Sequence, residues 1–351
     1  MKIQIPLHIL ALVCGLFISC NHQNSKNMEV AQDYPSNCQT NEYIFCYTDI
    51  ENFREVYNSM EQGGDTLAAF ESYFKNASPG LQGWISRYNW TPEKLSQRIS
   101  QMPDYYQSLL NADTELRGFE HEIAQYYDRM KELYPFEFVT IPPTYYFITW
   151  GGGGSIELTG NMISVDYFGY HEDLDHSEFE PYGGLFPKGS FPLVPITDIP
   201  FVAVHEVGHL FQTYLQGEVD YVSLYTDETK TNMLGYAVRE GTADFMAYLV
   251  SPDLVDKTRY TYGEAHEAEL WELFKPHLKE HPDNNKGWFH GRSDDHPDWP
   301  WQIGYYVGCK MIQHYYNQAE NKEKAILDIL SAKDTEFHEE IAKLYDSKFE
   351  P

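Results

Sequence analysis

Two histidines and a glutamate have the types and the spacing that can hold and use a metal ion. The motif reads His205-Glu206-Val207-Gly208-His209. On an α-helix, residues four positions apart lie on the same face, so both imidazoles can reach one ion. Two neutral imidazole nitrogens plus a carboxylate suit zinc, which keeps its fourth position open for water. Glu206 lies beside both histidines and is the candidate general base for that water.

A second motif can supply the carboxylate. The apolar segment from Met233 to Val250, followed by Pro252, predicts a buried helix. Glu240 and Asp244 are one turn apart on it and face the same way. Two carboxylates on one side of an apolar helix are costly unless they meet a cation. We therefore expect Glu240 to ligate the metal and Asp244 to hold the far nitrogen of a ligating histidine.

The two motifs together, HEVGH and then REGTADF, resemble those of the gluzincin metallopeptidases. The resemblance implies that His205, His209 and Glu240 bind one zinc ion per chain, that Glu206 is the base and that Asp244 orients His205. It implies hydrolysis of peptide bonds in a peptide or protein substrate. The gap from His209 to Glu240 is longer than in the best-known members, so residues 218–232 would form an inserted loop.

The same resemblance implies a small antiparallel sheet just before the zinc helix, whose edge strand holds the substrate backbone. Residues 145–167 are placed for that role. The segment from Pro300 to Gly308 is similar to one in predicted zinc-dependent protease lipoproteins of uncharacterised bacterial families. The similarity covers roughly residues 140–315 and is specific at the two motifs.

A group that stabilises the oxyanion of the tetrahedral intermediate must also be present in such an enzyme. Gluzincins use a downstream histidine or tyrosine, and the candidates here are His290, His296, Tyr305 and Tyr306. Tyr305 is the first choice, beside His290. Each of the four also has an ordinary interpretation, in a polar loop for the histidines and in the core for the tyrosines.

The sequence patterns of the segments that must position these residues predict a predominantly helical α+β protein. Residues 49–134 have mixed three- and four-residue apolar spacing, which predicts an N-terminal helical region. Aromatic and β-branched runs after Pro135 predict strands at 136–139, 145–150, 155–158 and 162–167. The chain after residue 199 is mainly helical, with Asp198 and Gly217 as candidate caps of the first helix. Residues 135–351 form the predicted gluzincin-like catalytic domain.

The first twenty residues indicate export. Residues 1–19 have a basic start and a short apolar run, typical of a signal peptide. The run ends in Phe17-Ile18-Ser19-Cys20, which resembles a bacterial lipobox and implies cleavage before Cys20 and lipidation of it. An ordinary signal peptide is the alternative. Residues 20–48 would then be a lipidated cysteine and a flexible tether, and the protein an anchored lipoprotein of the outer membrane or cell surface of a Gram-negative bacterium.

The remaining cysteines suit an oxidising compartment. Cys38 and Cys46 are close in sequence, so a disulfide between them is plausible. Cys309 lies in an apolar helical context and is expected to be a buried thiol. Neither pattern resembles a cysteine-based zinc site.

The composition excludes some partners and leaves rival functions open. The chain has 351 residues, with 53 acidic and 25 basic side chains and a net charge of −28. Such a charge argues against nucleic acid as the main partner and against electrostatic binding to anionic lipid. One alternative is a non-catalytic zinc-binding scaffold lipoprotein of the cell envelope, which the presence of Glu206 disfavours. Another is an aromatic-lined glycan-binding surface protein, which requires no metal. Oligomeric state stays open.

Overall fold

Helices surround a small sheet in the part of the chain that is described. The computed structural model describes residues 38–40, 42–134, 140–149, 152–182, 193–218 and 232–350. These residues belong to one compact unit, Pro35–Pro351. The predicted signal peptide, Cys20 and most of the tether lie outside the described residues. Within the described ranges, no helix is both long and apolar enough to cross a membrane.

The sheet has five strands and is mixed. Its members in chain order are β1 (Gln39–Thr40), β2 (Ile44–Cys46), β3 (Thr144–Phe147), β4 (Gly154–Glu157) and β5 (Gly160–Ser164). The spatial order is β1-β2-β3-β5-β4. The β2–β3 and β3–β5 pairs are parallel, whereas β1–β2 and β4–β5 are antiparallel. The predicted antiparallel arrangement is confirmed for β4 and β5 and is wrong for the sheet as a whole, because two parallel pairings form its centre.

The N-terminal strands correct the predicted tether. Phe45 of β2 pairs with Thr144 of β3, so this part of the stretch belongs to the folded body. The disulfide between Cys38 and Cys46 is confirmed and closes the β1–β2 hairpin. The predicted strand over 162–167 ends at Ser164 and continues as a short 3-10 turn. The predicted strand at 136–139 lies outside the described residues.

Six helices follow the hairpin and confirm the predicted N-terminal helical region. They are α1 (Thr48–Glu61), α2 (Thr66–Lys75), α3 (Pro79–Tyr88), α4 (Pro92–Gln101), α5 (Pro103–Ser108) and α6 (Ala112–Leu133). Asp65, Ser78 and Thr91 cap the starts of α2, α3 and α4 by accepting a backbone N–H three residues on. These caps satisfy donors that a helix leaves unpaired, so local sequence explains where the helices begin.

Aromatic rings fill the space among these helices and the sheet. The Phe53 ring lies 5.9–6.4 Å from the rings of Tyr57, Phe70, Tyr73 and Tyr106, in tilted and edge-on arrangements. All five side chains are buried. Rings in these orientations gain attraction beyond their buried area, so this layer is held together by side chains.

A second set of helices carries the two motifs. They are α7 (Ile199–Gln216), α8 (Met233–Val250), α9 (Lys257–Phe274), α10 (Ile303–Gln318), α11 (Lys322–Leu330) and α12 (Thr335–Asp346). The bounds of α8 match the prediction, and Gly217 ends α7 with a φ of +70° as predicted. Asp198 precedes α7, but its side chain makes no capping hydrogen bond, so that predicted role is wrong. Cys309 on α10 is a buried free thiol, as expected.

Glycines let the motif helices approach closely. A Cβ at Gly241 of α8 would lie 2.2 Å from the carbonyl carbon of Gly308 in α10. A Cβ at Gly308 would in turn lie 1.8 Å from the Ala237 carbonyl oxygen. On the other side of α8, a Cβ at Gly208 would be 3.1 Å from the Ala243 Cα. The glycines inside both motifs thus bring α7, α8 and α10 nearly backbone to backbone.

Candidate metal centre

Three buried side chains from α7 and α8 converge on one point. His205 and His209 extend from α7, and Glu240 extends from α8. One ligand atom of each lies within 4.8 Å of the others, in an arrangement that can hold a metal ion. The two histidine Nε2 atoms are 3.1 Å apart, and Glu240 Oε2 is 3.2 Å from the His209 Nε2 and 3.5 Å from the His205 Nε2. The structure therefore brings together the three residues that the sequence nominates.

Hydrogen bonds behind the histidines assign their tautomers. The Nδ1 of His205 lies 2.9 Å from Asp244 Oδ1, and a carboxylate only accepts, so this nitrogen donates. The Nδ1 of His209 lies 2.7 Å from Gln212 Oε1. The Gln212 amide donates its own N–H to the Arg239 carbonyl oxygen, which fixes its oxygen toward His209. Both Nε2 atoms then present lone pairs to the shared point.

The donor set fits a cation. With both Nδ1 atoms protonated, the two Nε2 lone pairs and the Glu240 carboxylate are three acceptors facing one another, and a cation between them removes their repulsion. Burial lowers the pKa of His205, but its hydrogen bonds to Asp244 and Glu240 outweigh burial and raise that pKa to about 10, so the carboxylates favour positive charge here, either a proton on Nε2 or a metal ion in its place. Burial raises the pKa of Glu240, and the two histidines reverse this and hold it well below its ordinary value.

Glu206 lies beside the three ligands and is differently placed. It is 6% exposed and lines the same cleft as His205 and Glu240. Burial raises the pKa of Glu206, while the neighbouring histidines oppose that shift. Its Oε2 atom has no hydrogen-bond partner among the described residues. A buried carboxylate oxygen of a purely structural residue is normally paired, so this atom is available to a molecule in the cleft.

The cleft has a cavity of about 430 Å³ above the ligands. The residues at the start of strand β4, Gly152 to Gly154, form one wall, and β4 is an edge strand of the sheet. A Cβ at Gly154 would lie 2.6 Å from Val202 Cγ1 and 2.8 Å from Glu206 Oε1, so the strand packs closely against α7 at this glycine. Tyr88, from the end of α3, lines the same cavity. The N-terminal helices therefore contribute directly to the site, which the sequence did not reveal.

Two of the four candidate oxyanion groups lie at the cleft. Tyr305 and His290 both line it. The Tyr305 ring stacks on the His205 imidazole, with centroids 6.0 Å apart and planes 10° apart. Tyr306 is fully buried in the core beside Tyr260, and His296 stacks on Trp299 away from the ligands. The geometry keeps the first two as candidates and sets the other two aside.

Arg259 of α9 was not predicted and lies directly behind the ligands. Its Nη1 donates to Asp244 Oδ2 at 2.9 Å, on the opposite oxygen from His205. Its Nη2 donates to Asp256 at 3.1 Å, and its guanidinium lies 4.8 Å from the centre of the Tyr305 ring. One arginine thus holds the carboxylate behind His205 and the ring above it. The sequence offered no signal, because α9 is joined to this site only by packing.

Arg87 fixes the far end of the cleft wall. This side chain of α3 donates to the Ser155 hydroxyl, to the Ile156 carbonyl oxygen at 3.4 Å and to Glu157 at 3.0 Å. All three partners belong to β4, so the helix anchors the strand that lies against the candidate base.

The chain matches no protein-family model, no curated protein and no solved structure.

Proposed function

We propose that this protein is a zinc-dependent metallohydrolase of the gluzincin type that cleaves peptide bonds. The observation that carries the proposal is the unpaired Oε2 of buried Glu206, immediately beside three converging acceptors. A site that only held a metal for structure would need the ligands but no unpaired carboxylate. Two imidazole nitrogens and one carboxylate oxygen are a donor set that suits zinc.

The chain's own residues divide the work of hydrolysis. Zinc, when bound by His205, His209 and Glu240, supplies a Lewis acid that activates water and polarises the scissile carbonyl. Glu206 takes a proton from the attacking water as the new C–O bond forms. Glu206 then delivers that proton to the leaving nitrogen as the C–N bond breaks. Asp244 holds His205 in the tautomer that leaves its Nε2 free to ligate.

Hydrogen-bond donors around the cleft complete the proposal. Tyr305 and His290 line the cavity and can donate to the oxygen that becomes negatively charged. The Tyr305 hydroxyl accepts a hydrogen bond from Gln302 Nε2 at 3.2 Å, which helps to orient the ring over the cleft. The edge strand β4 provides backbone groups for an extended substrate at its Gly154 end, which lines the cleft.

The location belongs to the proposal as well. The Cys38–Cys46 disulfide supports export to an oxidising compartment. We place the protein at the bacterial outer membrane or cell surface, anchored through a lipid on Cys20. Mass spectrometry of the purified protein should find an acylated N-terminal Cys20, and an intact residue 1–19 segment would contradict this part.

Metal analysis of the full chain tests the site. We expect about one zinc per chain in the wild type. The His205→Ala/His209→Ala double variant removes two of three ligands and should bind none at the same free zinc concentration. Equal zinc in both proteins, or no zinc in the wild type, would place the metal elsewhere or nowhere.

Hydrolysis of a peptide library tests the chemistry. Glu206→Gln should keep its zinc and lose at least about a thousandfold in kcat/KM, because it removes the base and keeps the shape. Glu71→Gln is the matched control, since Glu71 is exposed on α2. A zinc-loaded wild type that cleaves nothing would contradict the proposal and favour the non-catalytic scaffold.

A further inference from the structure

A second cavity continues from the metal cleft past the start of α7. It has a volume of about 680 Å³, larger than the cleft itself. The two share wall residues, namely Val194, Asp198, Phe201, Asp256 and Trp301. We call this second space the outer cavity. Because the walls are shared, a substrate bound over the ligands can extend directly into it.

The outer cavity has aromatic walls. Five of its rings are half-buried, which leaves part of each ring open: Tyr126, Tyr170, Phe201, Trp299 and Trp301. The Phe201 ring lies 5.8 Å from the His205 ring, so the aromatic lining begins next to a metal ligand. Open ring faces attract apolar stems and cationic groups.

Carboxylates outnumber cations in the same walls. The acidic members are Glu122, Asp198, Asp253 and Asp256, and the basic members are Lys257 and Arg292. Asp256 is already paired with Arg259. The Asp198 carboxylate has no hydrogen bond or ion pair with any described residue, unlike its neighbour.

Asp198 lines both cavities and has no ion-paired cation among the described residues. Burial raises its pKa to about 6, and the charge of Asp256 adds to that shift while Lys257 and Arg259 oppose it. Asp198 also makes no capping hydrogen bond to α7, so helix structure does not require it. A half-buried carboxylate beside a second carboxylate is unfavourable by itself and is stabilised by an incoming cation.

We propose, resting on the peptidase function above, that the outer cavity is a substrate subsite for an arginine or lysine side chain and that Asp198 determines this specificity. The rings hold the aliphatic stem, and the carboxylate pairs with the charged end. Asp198 immediately precedes α7 and is seven residues before His205, which corresponds to about 10 Å along the helix axis. An extended peptide covers this distance in about three residues, so the cation lies within three residues of the scissile bond.

Paired peptides test the preference in the full chain. In each pair, arginine at one position is replaced by citrulline, which has nearly the same shape but no charge. We expect arginine to raise kcat/KM about tenfold at one position within three residues of the cut, the effect of one partly buried charged hydrogen bond. High salt should reduce the ratio. A ratio near one at every position would overturn the subsite.

Variants assign the preference to one residue. Asp198→Asn should bring the arginine-to-citrulline ratio close to one, whereas Asp198→Glu should retain most of it because the charge remains. The exposed control Glu71→Gln should keep the wild-type ratio. An Asp198→Asn protein that melts like the wild type and still prefers arginine would overturn the assignment.

A binding measurement separates the subsite from the peptidase proposal. Titration calorimetry with the uncleaved peptides uses the Glu206→Gln full chain, with and without Asp198→Asn. We expect the arginine peptide to bind about tenfold more tightly than the citrulline peptide, and only when Asp198 is present. Selective binding without any wild-type hydrolysis would contradict the peptidase proposal and support the subsite. Equal binding of both peptides would contradict the subsite alone.

Discussion

The helices around the candidate metal site, α7, α8 and α10, pack through their backbones, whereas the N-terminal helices α1, α2 and α5 pack through aromatic side chains. Helices α7, α8 and α10 meet at glycines, where an added Cβ would lie within about 3 Å of a neighbouring backbone atom. Around α1, α2 and α5, rings such as Phe53, Tyr73 and Tyr106 fill the gaps. Backbone contact sets positions rigidly, because no side chain can yield. Ring packing tolerates small changes, because side chains can shift, and adds attraction beyond the apolar area that it buries.

The difference shows which region of the fold needs exact atomic positions. The three ligand atoms must converge within a few ångströms, and glycines beside them fix the distance between their helices. The aromatic layer needs only to support the sheet and present Tyr88 and β4 to the cleft. Substitutions in the two regions should therefore differ in size and in kind.

The largest expected effect is at the glycine crossing. Gly308→Ala should reduce the free energy of unfolding by about 3 kcal/mol or more, because its Cβ meets the Ala237 carbonyl and the helices must separate. Denaturant unfolding measures the change, and the midpoint should fall. The matched control is Gly118→Ala on α6, where nothing lies within 4 Å of an added Cβ. That control should gain about 0.5–1 kcal/mol from helix propensity. Similar values for both variants would remove the contrast.

A buried carboxylate in the aromatic layer should give a pH-dependent effect. Asp49 accepts hydrogen bonds from the backbone N–H and the hydroxyl of Ser78, and burial raises its pKa to about 6. A raised acid pKa means that the folded state binds the proton more tightly, so stability from this group is full below about pH 4. It is lost as pH rises through 6, by up to about 3 kcal/mol.

Asp49→Asn isolates that contribution. The difference in unfolding free energy between wild type and variant should shift against the wild type between pH 4 and pH 7. Other titrating groups are common to both proteins and largely cancel. A difference that stays constant, or that shifts in favour of the wild type, would contradict the assignment.

Disrupting the ion pairs of Arg259 with Asp244 and Asp256 should have a smaller effect, which is a loss of zinc affinity. Arg259→Lys keeps the charge but cannot span Asp244 and Asp256 together. We expect zinc affinity to fall about tenfold to a hundredfold in a chelator competition assay. Arg129→Lys at an exposed pair on α6 is the control and should not change affinity. Unchanged affinity in Arg259→Lys would restrict this arginine to stability.

The smallest effects should be hydroxyl deletions among the rings. Tyr73→Phe loses two buried hydrogen bonds, one donated to the Ile148 carbonyl oxygen and one accepted from the Ile148 N–H, and should cost about 1–2 kcal/mol. Tyr146→Phe removes a buried hydroxyl that has no partner among the described residues, so it should be neutral or slightly stabilising. Denaturant curves of the pair measure the difference. A larger loss in Tyr146→Phe would reverse this part of the comparison.

Local patterns made much of the site predictable. His205 and His209 follow from four-residue spacing, and the bounds of α8 follow from its apolar run and Pro252. Helix starts at Ser78 and Thr91 follow from capping chemistry. These features depend on residues within one or two turns, which a single sequence records.

Features that depend on distant pairing were missed. The parallel partner of β3 lies in a segment interpreted as tether, and nothing in Ile44–Cys46 specifies its direction. Arg259 and Tyr88 reach the site through the packing of α9 and α3, whose own patterns are ordinary. The family resemblance led to an antiparallel sheet, whereas the fold has parallel pairs at its centre.

The pairing of β2 with β3 also determines the order in which parts of the sheet can form during synthesis. Phe45 pairs with Gln39 of β1 on one side, but its partner on the other side, Thr144, is synthesised about a hundred residues later. At ordinary synthesis rates of about 5–20 residues per second, that wait lasts roughly 5–20 seconds. The edge strand that borders Glu206 joins the sheet after that, and the helices with the ligands emerge later still. The helices α7 and α8, which carry the candidate metal site, are thus made well after the N-terminal hairpin.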